Sequence, residues 1–262
     1  NAYGIACEVT GGKDRDIISV TAKSLGDGYA GAMVCSKVDA KDGENTITVH
    51  AESATGTAYA VDGGGVYSGS GNDVISISAK SGGAGRAQAL HCTTVNAGDG
   101  NNSVTIQADS VGGKAYAVGC GVYTGSGDDT VTISASSGSA AAYGLYCSTA
   151  AVGNGNNIAS VSAVSGNSYA IAMEASRLEG GSDRDDFSVL AQAGGNGDAV
   201  AVHSSTVDAK GGANHVAVKA VTQAGDATAM WSSNVYPGSG DDTISLIAQG
   251  VAGKAVALDH SN

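Results

Sequence analysis

The chain has 262 residues, 41 of them glycine and one proline, with charged side chains at 15% and aromatic ones at 5%. A net charge of −12 with only 13 lysines and arginines excludes the clustered positive face that a nucleic-acid partner requires. One Phe and one Trp leave little material for the thick core usual in a domain of this length, and no apolar run reaches the ~20 residues of a membrane-spanning helix.

Read from the start, Ala2-Tyr3-Gly4-Ile5 is followed by a glycine pair at Gly11-Gly12 and an apolar-alternating run from Asp16. The same order then returns. The opening segment recurs as Ala30-Gly31-Ala32-Met33, Ala58-Tyr59-Ala60-Val61 and Ala87-Gln88-Ala89-Leu90, and so on to Ala255-Val256-Ala257-Leu258, in ten copies at steps of 27 to 29 residues. Between copies lies a glycine-rich turn and then a strand pattern. From Asp129 to Ala135, for example, Val131, Ile133 and Ala135 share one face. Period-two alternation with β-branched residues between Gly/Ser clusters predicts short strands.

A unit of about 28 residues with two or three short strands cannot bury its apolar face alone, so units must stack. The expected fold is an all-β parallel β-solenoid, one continuous domain over 1–262, with nine coils and part of a tenth. At ~4.8 Å per coil it would be a rod about 45 Å long. A propeller is excluded because its blades need about 40 residues and four strands. With no evident capping segment at either end, the sequence leads to the expectation of a longer array or of subunits that associate end to end or laterally.

A second period runs inside the first. The residue that opens each alternating strand is Asp16, Asn45, Asp73, Asn102, Asp129, Asn157, Asp185, Asn214 and Asp242. The true unit is therefore two coils, about 56 residues. Ionised carboxylates on successive coils would repel by about 1 kcal/mol in water, and an interposed Asn doubles their separation. The turns before these residues read Gly69-Ser70-Gly71-Asn72-Asp73, Gly125-Ser126-Gly127-Asp128-Asp129 and Gly238-Ser239-Gly240-Asp241-Asp242. Glycine permits positive φ there, and the carboxylate either closes the turn or reaches a metal.

This G-x-G-x-D pattern resembles the nonapeptide of hemolysin-type (RTX) calcium-binding repeats, as do Gly11-Gly12-Lys13-Asp14-Arg15-Asp16 and Gly180-Gly181-Ser182-Asp183-Arg184-Asp185. The resemblance covers about seven residues of each coil. It departs from the family in having one motif per coil and Asn for Asp in every second coil, and is closer to large repetitive bacterial surface proteins. It implies an exported bacterial protein, calcium as the bound ion, and Asp73, Asp129 and Asp242 as ligands, with Asp16 and Asp185 next. The other reading of the same column is a metal-free Asp/Asn ladder.

Three further columns bear on function. Cys7, Cys35, Cys92, Cys120 and Cys147 fall five residues after the first Ala of their units, where other units have Gly63, Ala175, Ser204 and Ser232. Small residues throughout suggest a tight buried position, with inter-coil disulfides an alternative and metal binding disfavoured. The paired Ala columns are expected to face a narrow interior; were they outside, the rods would bundle. Ser19, Thr48, Ser76, Thr105 and Thr132 form a hydroxyl column on the solvent side, with irregular neighbours that point to an ordinary solvated face. His50, His91, His203, His215 and His260 yield no converging Ser-His-Asp or Cys-His set, so no enzymatic activity is expected. The reading is an extracellular structural element, a segment of a surface fibre, adhesin stalk or filament, with a glycan- or ice-binding module as the alternative.

Overall fold

The computed structural model of the chain describes residues 1–261; Asn262, the end of the expected repeat region, lies outside them. Every described strand pairs in parallel with its equivalents one coil before and after. One coil reads as strands Ala142–Tyr146, Thr149–Ala151 and Asn157–Ser165. In the second to fifth coils the first two are continuous, as in Ala30–Asp39 and Ala58–Tyr67. They build a 15-stranded sheet bent along its length, and the third strands build a nine-stranded sheet from Ile17–Ser24 to Thr243–Gly250. No helix occurs among the described residues.

The register follows the repeat. Ala58 pairs with Ala30 on one side and Ala87 on the other, and Val131 pairs with Val104 and Ala159. The expected inward faces are the observed ones: Val131 is 1% exposed, and Ile133, Ala30 and Ala32 are 0%. Full burial of an Ile or Val side chain contributes about 1.5–3 kcal/mol. The alanines add little, so each coil depends on the layers above and below it. The paired alanines give way to a larger buried residue at the next position, Met33, Leu90, Leu145 and Met173. Two consecutive buried residues break the in-out alternation there and begin to turn the chain.

The turn is completed by the column read as cysteine. Cys35, Cys92, Cys147, Ala175, Ser204 and Ser232 all have φ between +46° and +48°. Cys7 and Cys120 lack a positive φ; at the other positions the column is small because it is a left-handed corner, where a bulky side chain is costly, and not because it is buried. Cys7, Cys35, Cys92 and Cys147 are exposed, Cys120 is half-buried, and all five are free thiols. This corrects the expectation of a tight interior filler.

Candidate functional site

At two corners of the coil, backbone N–H groups lose their strand partners, and side chains from the next coil take over. The Asp/Asn column does this at the glycine turn. Asn45 N–H donates to Asp73 Oδ1 at 2.7 Å, Asp73 N–H to Asn102 Oδ1 at 3.1 Å, and Asn102 N–H to Asp129 Oδ1 at 2.8 Å. Asp129 N–H to Asn157 Oδ1 at 2.9 Å and Asn157 N–H to Asp185 Oδ1 at 3.2 Å continue the series, which ends with Asn214 N–H on Asp242 Oδ1 at 2.8 Å. Asp16 begins it by donating to Asn45 Oδ1 at 2.9 Å. All five expected Asp residues therefore stand in one ladder.

Asn and Asp differ in what the second side-chain atom does. Asn102 Nδ2 donates to the carbonyls of Gly98 and Gly100 in its own turn and to Thr124 in the next coil, at 3.1, 2.9 and 3.2 Å. Asn45 and Asn214 follow the same scheme. An ionised Asp has no proton to offer there. In two Asp coils a hydroxyl five residues upstream supplies it instead: Ser68 Oγ donates to Ala97 O and Thr124 Oγ1 to Val152 O, both at 2.9 Å. In two others the upstream residue is glycine, Gly11 or Gly180, and the second carboxylate oxygen accepts a backbone N–H. These bonds are Gly12 to Asp16 at 2.7 Å and Gly181 to Asp185 at 3.0 Å.

The remaining atoms are Asp73 Oδ2 and Asp129 Oδ2, buried and without a hydrogen-bond partner. Burial pushes the Asp129 carboxyl up to about 6, against the lowering effect of the Asn102 N–H. Asp73 and Asp185 move in the same direction with burial as the first cause.

Calcium takes six to eight oxygens, usually with several carboxylates. Here each buried site offers one uncommitted carboxylate oxygen, and the two sites are two coils apart with Asn102 between them. Among the described residues no three His, Cys, Asp or Glu side chains form a metal-holding group. Side-chain carboxylates alone give each site fewer oxygens than calcium takes, and the ladder geometry accounts for the column without it.

Two other ladders were not anticipated from the sequence. At the end of the third strand, Ser53, Ser81, Ser110, Ser137 and Ser165 each donate at 2.8 Å to a carbonyl of the preceding coil. Beyond the left-handed corner, Ser148, Ser176 and Ser205 N–H groups donate to Ser176, Ser205 and Ser233 Oγ at 2.9–3.1 Å. The alternating pattern carried a signal for the first of these, because a buried Ser at the end of an inward-facing run must find a partner.

The outside of the first sheet carries stacked aromatic residues. Tyr3, Tyr29 and Tyr59 follow one another at 5.5 and 5.6 Å between ring centres, Tyr116 stacks on Tyr143 at 4.8 Å, and His203 stacks on Trp231 at 4.6 Å. On the same side, a column four residues after the first Ala places Asp62 beside His91 and Glu174 beside His203. Their side chains pair at 2.7 and 2.8 Å. His91 also lies against Cys92, a convergence that the sequence reading excluded. The solvent-side hydroxyl column is in register and partly exposed, with Thr48 opposite Ser19 and Ser76.

No known family model, including any for hemolysin-type repeats, matches the chain, and neither curated proteins nor solved structures give a match.

Proposed function

We propose that the chain is a load-bearing rod, a structural segment of an extracellular bacterial surface fibre, adhesin stalk or filament. The observation that supports this most is the unbroken side-chain ladder from Asp16 to Asp242. It ties every coil to the next at a corner where the N–H of each ladder residue finds no backbone partner and uses a side chain instead. Pulling the rod apart would break it coil by coil, together with the two serine ladders. The coils vary in length by about two residues, so no long insertion opens a cleft on any face, and the role is mechanical rather than catalytic. Association with further copies, end to end or side by side, belongs to this reading. Among the described residues no helix is long and apolar enough to cross a membrane.

The column supports a metal-free version of this rod, because the Oδ1 atom of every residue from Asn45 to Asp242 already serves a backbone N–H. An antibody raised against the folded chain tests the location: it should label intact cells of the producing organism. Labelling only after permeabilisation would overturn an extracellular role.

One observation favours a second use of the surface, glycan contact. Trp231 is 44% exposed and borders a depression of about 290 Å³ with Asp198, Asp226 and Lys254. An aromatic platform flanked by carboxylates and an amine suits a sugar ring. A glycan array read with the chain and with Trp231→Ala checks this, a signal lost in the variant being the expected result and no signal with either chain the refuting one.

A further inference from the structure

Asp62, His91 and Cys92 form a connected chain of groups that no other coil completes. His91 Nδ1 lies 2.7 Å from Asp62 Oδ1, and its Nε2 lies 3.8 Å from Cys92 Sγ. A carboxylate on Nδ1 holds the imidazole proton on that side, so Nε2 turns its lone pair to the thiol. Asp62 is itself anchored, its Oδ2 accepting the Tyr29 hydroxyl at 3.2 Å. Cys92 is exposed, at a corner with φ +47°. Beside it lies a depression of about 350 Å³. It sits where Gly119, the neighbour of His91 on the next coil, has no side chain. At its rim the Arg86 guanidinium lies over the Tyr116 ring at 5.1 Å.

We propose that Cys92 is an activated nucleophilic thiol that exchanges with small anionic disulfides, with His91 as its base, Asp62 positioning His91, and Arg86 attracting the anion. His91 Nε2 accepts the thiol proton, and Cys92 Sγ attacks one sulfur of the disulfide. The new S–S bond forms as the old one breaks. The departing thiolate carries away the electron pair and takes the proton back from the imidazolium. The products are a mixed disulfide on Cys92 and one free small thiol, with no further oxidant required. This activity is independent of the mechanical role.

The fold supplies its own controls. Cys35 and Cys147 occupy the same left-handed corner, at φ +46° and +48°, and are likewise exposed. They follow Val34 and Tyr146 rather than a histidine. The Glu174–His203 pair repeats the carboxylate–imidazole arrangement, but the corner residue after it is Ser204.

The test is labelling of the folded chain with limiting dithiobis(nitrobenzoate), an anionic disulfide, each thiol being followed by peptide mass mapping. Cys92 is expected to react at least ~10-fold faster than Cys35 and Cys147 at neutral pH. His91→Gln should bring it down to the rate of Cys35, which lies outside the depression, while leaving Cys35 unchanged, which also reports that the variant is folded. Arg86→Gln should slow the anionic reagent and leave neutral hydroxyethyl disulfide unaffected. Equal rates at the three thiols, or a Cys92 lead that survives His91→Gln, would overturn the assignment.

Discussion

Asn157 Oδ1 accepts the backbone N–H of Asp129 at 2.9 Å, and Asp129 Oδ1 in turn accepts the N–H of Asn102 at 2.8 Å. Each residue of the column is thus donor to the coil after it and acceptor from the coil before it. Asp and Asn are equivalent in that exchange, since both present Oδ1. They differ only at the second atom, where Asn donates and Asp cannot unless it is protonated. The alternation is therefore a difference in chemistry laid on an identical geometry.

Asp129→Asn should stabilise the rod at neutral pH. The new Nδ2 would reach the Gly125 and Gly127 carbonyls, as Asn102 reaches Gly98 and Gly100, and would replace a buried oxygen without a partner. Relief of such a group is worth about 1–3 kcal/mol. The sign with pH follows from the raised carboxyl. The folded state holds this proton more tightly than the unfolded chain does. Its contribution is therefore complete below about pH 4, the ordinary carboxylate range, and is lost as pH rises through about 6. Thermal melts of the two chains should converge near pH 4 and separate above pH 6. Coincident melts at pH 8 would show that ionised Asp129 finds a donor, with Thr124 the nearest candidate.

Asn102→Ala should cost far more than a solvent-side change such as Thr130→Ala. It removes the acceptor for Asp73 N–H and the donor to three carbonyls, all around a residue 2% exposed. At ~0.5–1.5 kcal/mol per bond the loss over these four is roughly 2–6 kcal/mol. Urea unfolding of both variants measures it, and a loss below that of Thr130→Ala would mean that the ladder carries no weight.

Gly153→Ala addresses the turn rather than the ladder. Gly153 has φ +69°, and a Cβ there would run into the carbonyl oxygen of Gly125 in the coil before. The obstacle is backbone, so it cannot swing aside. A loss of more than about 3 kcal/mol is expected, read as a drop in urea midpoint. Wild-type stability in this variant would refute the close stacking of turns.

The repeat, the inward face of the third strand and the place of every Asp and Asn in one column were legible because each depends on spacing alone. Val131, Ile133 and Ala135 needed only period two to be placed inside. The cysteine corner was misread because small size has two physical causes, a crowded interior and a left-handed backbone, and a row of Cys, Ser and Ala suits both. Gly63 in that column, at φ +75°, was the available hint. The Asp62–His91–Cys92 set escaped because its members are neighbours across coils. They are read together only when the columns four and five residues after the first Ala are laid side by side.

Calcium should leave the rod unchanged. Asp73, Asp129, Asp185 and Asp242 each commit Oδ1 to a backbone N–H. Asp16 and Asp185 also commit Oδ2 to Gly12 and Gly181. At Asp185 a bound dication would compete with these N–H groups for both oxygens and at Asp16 for Oδ2, and each weakened bond would offset part of the gain from coordination; at Asp73 and Asp129 it would find one free carboxylate oxygen per site. Circular dichroism melts in millimolar calcium and in excess EGTA are therefore expected to coincide. Calcium bound only to the folded rod at one hundred times its Kd would add about 2.7 kcal/mol of stability, a shift that such melts resolve easily. A calcium-dependent rise in Tm would replace the metal-free ladder with the hemolysin-type reading. Repeating the melts with Asp73→Asn and Asp129→Asn would then show whether the two unpartnered oxygens hold the ion.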